Sequence, residues 1–256
     1  MTLLGCIVPS NFFRDYIYPS VLTHVDNYVD QLQEDELSHM VKNLNVDTSI
    51  YENLDTGSNP NKDNNNNNDD HAVENDLKIK TKRMVLKAYV KAMVKHNIQS
   101  IEFQELAYKI LSWTGPQADK LASHQVYQDI TPFLNFCHSN NVKVYIFANE
   151  SHYVQGLVYS KIRKKVTNHY DQSTIGSTKQ ISSYTKLKNT LSLNKDPKEW
   201  HDVVFLSENV EELHAAAGSG IGYPVLCRRS IGLNQPLENS IYPIVKGLGL
   251  MALTKI

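Results

Sequence analysis

Glu208 is the residue of this chain best placed to do chemistry. The apolar run Val203 to Leu206 reads as a buried strand, Ser207 and Glu208 stand at its carboxyl end, and Asn209 is positioned to cap a helix carrying Leu213, Ala216 and Ala217. Gly218 and Gly220 stop that helix, and Pro224 to Cys227 supplies a second apolar run at the distance of a parallel neighbour. The unit is strand, helix, strand, and such units bind their ligands beyond the carboxyl ends of the strands. A carboxylate at that edge faces whatever the sheet holds. If Lys179 or an arginine neutralises it, Glu208 is instead an ordinary feature of an α/β sheet with no ligand.

The elements that must position this edge can be read along the chain. Phe13, Tyr16, Ile17, Val21, Val25, Val29 and Leu32 recur at helical spacing, as one amphipathic helix or a pair broken near Pro19, and residues 34–54 continue as helix. From Asp55 to Asp76 the composition shifts to Asn, Asp, Gly, Ser and Pro, including the run Asn64 to Asn68, so this segment is expected to be a disordered insert. Asp69, Asp70 and His71 within it read as solvated. Leu77 to Gln99 forms a basic periodic helix, Phe103 to Trp113 another ended by Gly115-Pro116, and Tyr127 to His138 a third. Val142 to Phe147 is a buried strand, Ser151 to Lys165 a helix with a cationic end, and Ser182 to Leu193 the helix ahead of the Glu208 strand.

Composition narrows the function. With 26 basic and 27 acidic residues in 256, the chain is nearly neutral, which argues against nucleic acid or an anionic membrane as partner and for a local pocket. Cys6, Cys137 and Cys227 are widely spaced in apolar surroundings and read as reduced core residues of an intracellular protein. The opening MTLLGCIVP is too short and lacks the basic flank of a signal peptide, and no apolar run reaches the length of a membrane span, so a cytoplasmic location is expected, with the nucleus as an additional one.

The stretch from Asp202 to Ser230 resembles the fourth motif of the haloacid dehalogenase superfamily, specifically the enolase-phosphatase (acireductone synthase) family of methionine salvage, which reads like FLSDNxxELxAAxxxG. Here the family's Asp is Glu208, its following Glu is Glu212, and the later Arg-Pro-Gly is Arg228-Arg229-Ser230. Phe12 to Pro19 resembles the element leading into the family's helical cap, and FQELAYKILSWTG its return to the core, with Trp113 at the matching Trp. The resemblance implies a parallel, Rossmann-like α/β core of residues 1–14 and 120–256 flanked by helices, with an inserted helical cap of residues 15–119.

The same resemblance locates the chemistry. A phosphatase of this superfamily uses a carboxylate nucleophile, a hydroxyl for the phosphoryl group, a lysine against developing charge and acidic residues for Mg²⁺. The positions of its nucleophile and acid fall on Thr2 and Leu4. A truncated or misassigned start is one explanation for the missing Asp and Glu, and it does not account for Ala148 and Thr178. The two serines of the second motif fall on Ala148 and Asn149 and its Gly on Glu150, with Ser151 two residues late, and the lysine of the third motif falls on Thr178, one residue before Lys179. Only Glu208 keeps its charge as a metal position, one methylene longer than Asp, so the Mg²⁺ implied by the family meets an altered donor set.

The family reaction is Mg²⁺-dependent enolisation and dephosphorylation of 2,3-diketo-5-methylthiopentyl-1-phosphate to an acireductone. The reading is a family homologue whose catalytic motifs are degenerate and whose activity is strongly reduced or lost, so whether the chain is an enzyme stays open. The alternatives are an active divergent enzyme with Ser151, Lys179 and Glu208 in a rebuilt site, or a non-catalytic binding or regulatory subunit associated with an active paralogue. A small phosphorylated metabolite is the expected ligand in any version that binds one.

Overall fold

The computed structural model describes residues 1–44, 69–115, 125–193, 197–229 and 240–249. The chain divides into two compact units, Tyr18–Gly115 and Met1–Ile17 together with Pro116–Ile256. Among the described residues no helix is long and apolar enough to cross a membrane.

The unit Tyr18–Gly115 is helical. α1 (Tyr18–Gln31) turns Val21, Val25 and Val29 inward, and packs against α3 (Asp69–Lys95) and α4 (Ile101–Trp113), while α2 (Glu34–Asn43) lies on α3. Ser100 caps α4, its Oγ accepting from Phe103 N at 3.2 Å. The Phe103 ring then fills the space beside Tyr18 and Tyr89, 5.7 and 6.3 Å away between centroids.

Two expectations for this region change. The polar insert expected over residues 55–76 is helical from Asp69 onward, and within that helix Asp76 pairs with Lys80 one turn later at 2.7 Å. Residues 55–68, with the Asn64 to Asn68 run, lie outside the described residues. The helix expected to reach Gln99 ends at Lys95 because Asn97 adopts φ +51°. Its amide then bonds to Val94 O at 3.1 Å and that of Ile98 to Met93 O at 3.0 Å, which satisfies the last carbonyls and closes the helix.

The other unit is an α/β layer structure. Residues Phe13–Ile17 form a π-helical turn. α5 (Ile130–Ser139) leads to β1 (Tyr145–Phe147), then come α6 (His152–Ile162) with a 3₁₀ turn over Arg163–Lys165, and β2 (Asn168–Tyr170), parallel to β1. α7 (Ile181–Thr190) and the short α8 (Pro197–His201) precede β3 (Val204–Ser207), α9 (Val210–Gly218), β4 (Tyr223–Cys227) and β5 (Ile244–Val245), with β3, β4 and β5 parallel in that order.

Backbone hydrogen bonds of Met1 and Thr2 join the two strand sets. Met1 N donates to Tyr145 O at 2.9 Å, Met1 O accepts from Phe147 N at 3.1 Å, and Thr2 N donates to Leu206 O at 3.0 Å. The resulting order is β2, β1, residues 1–2, β3, β4, β5, which sets the carboxyl ends of β1 and β3 on either side of the turn that follows Thr2. The core beneath is aromatic: Tyr184 meets Phe147 and Phe205 edge-on, each 5.3 Å away, with Trp200, Leu213 and Leu226 around them.

Element boundaries shift by physical causes. The strand expected from Val142 begins at Tyr145, because Asn141 at φ +58° and the Val142 amide, bonded to Cys137 O at 2.8 Å, are used to end α5. The helix expected from Tyr127 starts at Ile130, and the one expected to run to Leu193 stops at Thr190, where Ser192 at φ +57° closes it in the same way. The helix expected from Ser151 to Lys165 is α6 plus the 3₁₀ turn, with Ser151 outside it as a cap.

Candidate functional site

The turn after Thr2 folds back on itself. Ile7 N and Val8 N both donate to Leu3 O, at 3.0 and 3.2 Å, and Gly5 N donates to Val8 O at 2.7 Å. This places Gly5, at φ +72°, against the carboxylate of Glu208, so that a Cβ on residue 5 would stand 2.1 Å from Glu208 Cδ. Only glycine allows both that backbone and that approach. Gly5→Ala therefore lowers stability by about 2 kcal/mol, from the left-handed conformation and the displaced carboxylate together. Urea unfolding measures this, and an unchanged midpoint would show that the turn does not need glycine.

Glu208 follows β3 as expected from the sequence, and Asn209 caps α9, its Oδ1 accepting from Glu211 N at 2.9 Å. The Glu208 carboxylate accepts from Ser10 Oγ at 2.6 Å. Burial raises its pKa, with Ser10 and Arg228 opposing and Glu212 adding to the rise.

The centre of the site is Glu212. From the first turn of α9 its side chain reaches back to β3, where Oε2 accepts from Ser207 Oγ at 2.5 Å; Oε1 accepts from Thr178 Oγ1 at 2.5 Å and from Asn149 Nδ2 at 3.3 Å. Asn149 Oδ1 in turn accepts from Thr178 N at 2.9 Å, and Ser207 Oγ accepts from Asn209 N at 3.0 Å. Tyr184 Oη lies 2.7 Å from Thr178 O and 3.2 Å from Glu212 O, which ties this polar layer to the aromatic core. The Glu212 carboxylate is thus buried and held by three side-chain donors, as a carboxylate out of water must be.

Glu150 is a third carboxyl group, which feels the charge of Glu212 and Glu208. It is 8 % exposed, and its pKa is pushed up to about 7 by burial, with its own backbone amide opposing and Glu212 and Glu208 adding repulsion. Ala148, just before it, is buried and continues β1 in the backbone, its amide donating to Tyr170 O at 3.2 Å.

The residues read from the sequence as substitutes have partners of their own. Lys179 pairs with Glu211 at 2.6 Å on the exposed side of α9. Ser151 Oγ accepts from Val154 N at 3.4 Å at the start of α6. Thr2 Oγ1 donates to Cys6 Sγ at 3.5 Å, and Leu4 offers only an alkyl chain. Sequence reasoning missed Ser10, Gly5 and Ser207 as partners of the carboxylates. Ser207 had a signal in its place beside Glu208, whereas Ser10 and Gly5 reach it only through the fold.

These donors do not suit Mg²⁺. The ion asks for compact octahedral oxygen coordination, usually from carboxylates kept ionised by it. Thr2 and Leu4 bring no carboxylate, and the Glu208 carboxylate is bonded to Ser10 and lies against Gly5. Among the described residues no group of three or more His, Cys, Asp or Glu is arranged to hold a metal ion.

No family model matches the chain. It is 27 % identical over 263 residues to a probable bifunctional methylthioribulose-1-phosphate dehydratase/enolase-phosphatase E1 of Ricinus communis, covering 96 % of this chain and 46 % of that protein. The protein of the same description from Arabidopsis thaliana is 32 % identical over 138 residues, 52 % of this chain and 26 % of the relative. The chain therefore spans between a quarter and a half of these plant relatives. Enolase-phosphatase E1 of Vanderwaltozyma polyspora is 22 % identical over 247 residues, 92 % of this chain and 88 % of the relative. Among solved structures, the UTR4 protein of Saccharomyces cerevisiae superposes with a TM-score of 0.64 at 18 % identity, covering 98 % of this chain and 97 % of that one, which shows a shared fold.

Proposed function

We propose that this chain is an enolase-phosphatase homologue of methionine salvage that has lost the phosphatase reaction and acts as a non-catalytic binding or regulatory subunit, in the cytoplasm, beside an active relative. The observation that carries the proposal is the bonding of Glu212. Asn149 and Thr178 stand where the family resemblance puts a phosphoryl-binding serine and the lysine, and both give their side-chain hydrogen bonds to the Glu212 carboxylate.

A phosphate dianion needs donors and positive charge. In this site the donors already serve a carboxylate, and each unit of like charge at about 4 Å repels by about 4 kcal/mol at an effective dielectric constant of 20. Lys179 offers no relief, since its ammonium is paired with Glu211. The nucleophile position carries no carboxylate, and loss of a covalent nucleophile alone costs on the order of a millionfold in rate in a well-studied hydrolase. The rebuilt-enzyme alternative would require Ser151 and Lys179 to face Glu208. Their hydrogen bonds to Val154 and Glu211 favour the non-catalytic reading.

Calorimetric titration with orthotungstate, a stable phosphate mimic, tests this at pH 8 with an active family member as control. The expected result is saturable heat from the control and none from this chain. Saturable binding that disappears in Thr178→Ala would overturn the proposal.

A further inference from the structure

The helix α3 concentrates positive charge that the chain as a whole does not have. From Leu77 to Lys95 it carries seven lysine and arginine residues and no acidic one, in a chain with 26 basic and 27 acidic residues. Lys80, Lys87 and Lys91 fall at helical spacing on one narrow stripe of it, about 16 Å long. α1 runs antiparallel beside that stripe, Asp30 pairing with Lys87 at 2.7 Å and Asp26 with Lys91 at 3.0 Å. Along α3 the surface is an open groove of about 470 Å³, lined by the three lysines, Arg83, Met84 and Ala88, with Asp30 of α1 on its other wall. Met84 is 49 % exposed there. Arg83 Nη2 donates to Leu32 O at 3.1 Å, while its Nε is buried without a hydrogen-bond partner, so the folded chain leaves this guanidinium short of an acceptor.

We propose that this groove docks an acidic amphipathic helix of a partner protein, its carboxylates over the Lys80, Lys87 and Lys91 stripe and its apolar side chains on Met84 and Ala88. Charge and spacing both select that occupant. A helix lying along α3 repeats its acidic residues at the same three- and four-residue intervals as the lysines, and an apolar stripe beside them meets the exposed methionine, a side chain that adapts to what it packs against. The proposal stands apart from the loss of the phosphatase reaction, because the groove belongs to the helical unit Tyr18–Gly115.

The ion pairs already in place do not close the groove. Asp26 and Asp30 are each more than half exposed, as are Lys80 and its partner Asp76, and exposed pairs of this kind contribute little and exchange readily. Each ammonium also has three N–H donors, so a lysine bonded to one aspartate can take a second carboxylate. The same aspartates disfavour a lipid bilayer as the occupant. An anionic bilayer surface would lie against Asp26 and Asp30 together with the lysines, and it is too flat to follow a groove beside two helices, whereas a segment one helix wide can place its carboxylates on the α3 side alone.

The test uses the full chain and a fluorescent peptide of about 20 residues, long enough to hold helical structure, with glutamate and leucine at helical spacing. A scrambled peptide of the same composition and vesicles containing phosphatidylserine are the comparisons. Fluorescence anisotropy at physiological ionic strength is expected to show saturable binding of the patterned peptide, weaker binding of the scrambled one and none of the vesicles by co-sedimentation. Replacing Lys80, Lys87 and Lys91 together by glutamine is expected to weaken the patterned peptide about tenfold, the sum of three exposed ion pairs. In the unsubstituted protein, a patterned peptide with its carboxyl groups activated beforehand is expected to form amide cross-links at those three lysines, mapped by mass spectrometry. No binding, equal binding of the scrambled peptide, cross-links that fall on other lysines, or binding to the vesicles alone would each overturn the proposal.

Discussion

Glu150→Gln raises stability at pH 8 by about 3 kcal/mol and removes a pH dependence that the unchanged protein shows between pH 4.5 and 7. The reason is the buried carboxyl at the end of β1, whose pKa is about 7 in the folded protein against 4.5 as the ordinary value. Between those two values the folded state holds a proton that the unfolded state releases. Stability is therefore greatest below the unfolded pKa, falls as the pH rises through the window, and levels off above the folded pKa. Glutamine keeps the shape of the protonated acid and never ionises, so the two proteins match near pH 4.5 and diverge above it. Urea unfolding at a series of pH values measures both curves. Parallel curves, or equal stabilities at pH 8, would show that Glu150 ionises without penalty.

Glu212→Ala lowers stability by about 3 kcal/mol, because it strips the acceptor from three side chains at once and leaves a void beside α9. Ser207 and Thr178 are buried and cannot turn to water for a replacement. Part of the loss is offset, since removing one carboxylate relieves Glu150 and Glu208, both of which feel Glu212. Glu212→Gln preserves the shape and one carbonyl acceptor, and its cost is about 1 kcal/mol, a typical net value for one altered hydrogen bond. The ordering of the two variants is the informative result. If alanine were tolerated as well as glutamine, the Asn149, Thr178 and Ser207 hydrogen bonds would not be what holds this layer together.

Much of the fold could be read from residue types, and the reasons can be stated element by element. The β3, α9, β4 unit is legible because its strands are continuous apolar runs, its helix opens on a capping Asn209, and its end is marked by Gly220, the left-handed residue at φ +90°. Other helix ends were misplaced where the left-handed position is occupied by Asn97, Asn141 or Ser192, since these residues adopt that conformation only in context. β2 and β5 escaped notice because Asn168–Tyr170 is largely polar and Ile244–Val245 has only two residues, so neither shows a strand period.

The site divides in the same way. Glu208 and its strand end are visible locally, as is the match of Glu212 to a family glutamate. That Glu212 gathers Asn149, Thr178 and Ser207 depends on side chains brought together from the segment after β1, the segment before α7, and β3. The Ser10 to Glu208 bond spans 198 positions, and the Gly5 cradle appears only once the turn after Thr2 has folded. Spacing in the sequence carries no signal for contacts of that kind.

The most direct test of the central claim, that the phosphoryl pocket of the family is here closed around a carboxylate, is Mg²⁺-dependent phosphate release from 2,3-diketo-5-methylthiopentyl-1-phosphate. An active family member serves as the positive control. The account predicts release by the control and none above background from this chain. Release well above background that is abolished by Glu208→Ala would contradict it, and would show that the site has been rebuilt for catalysis.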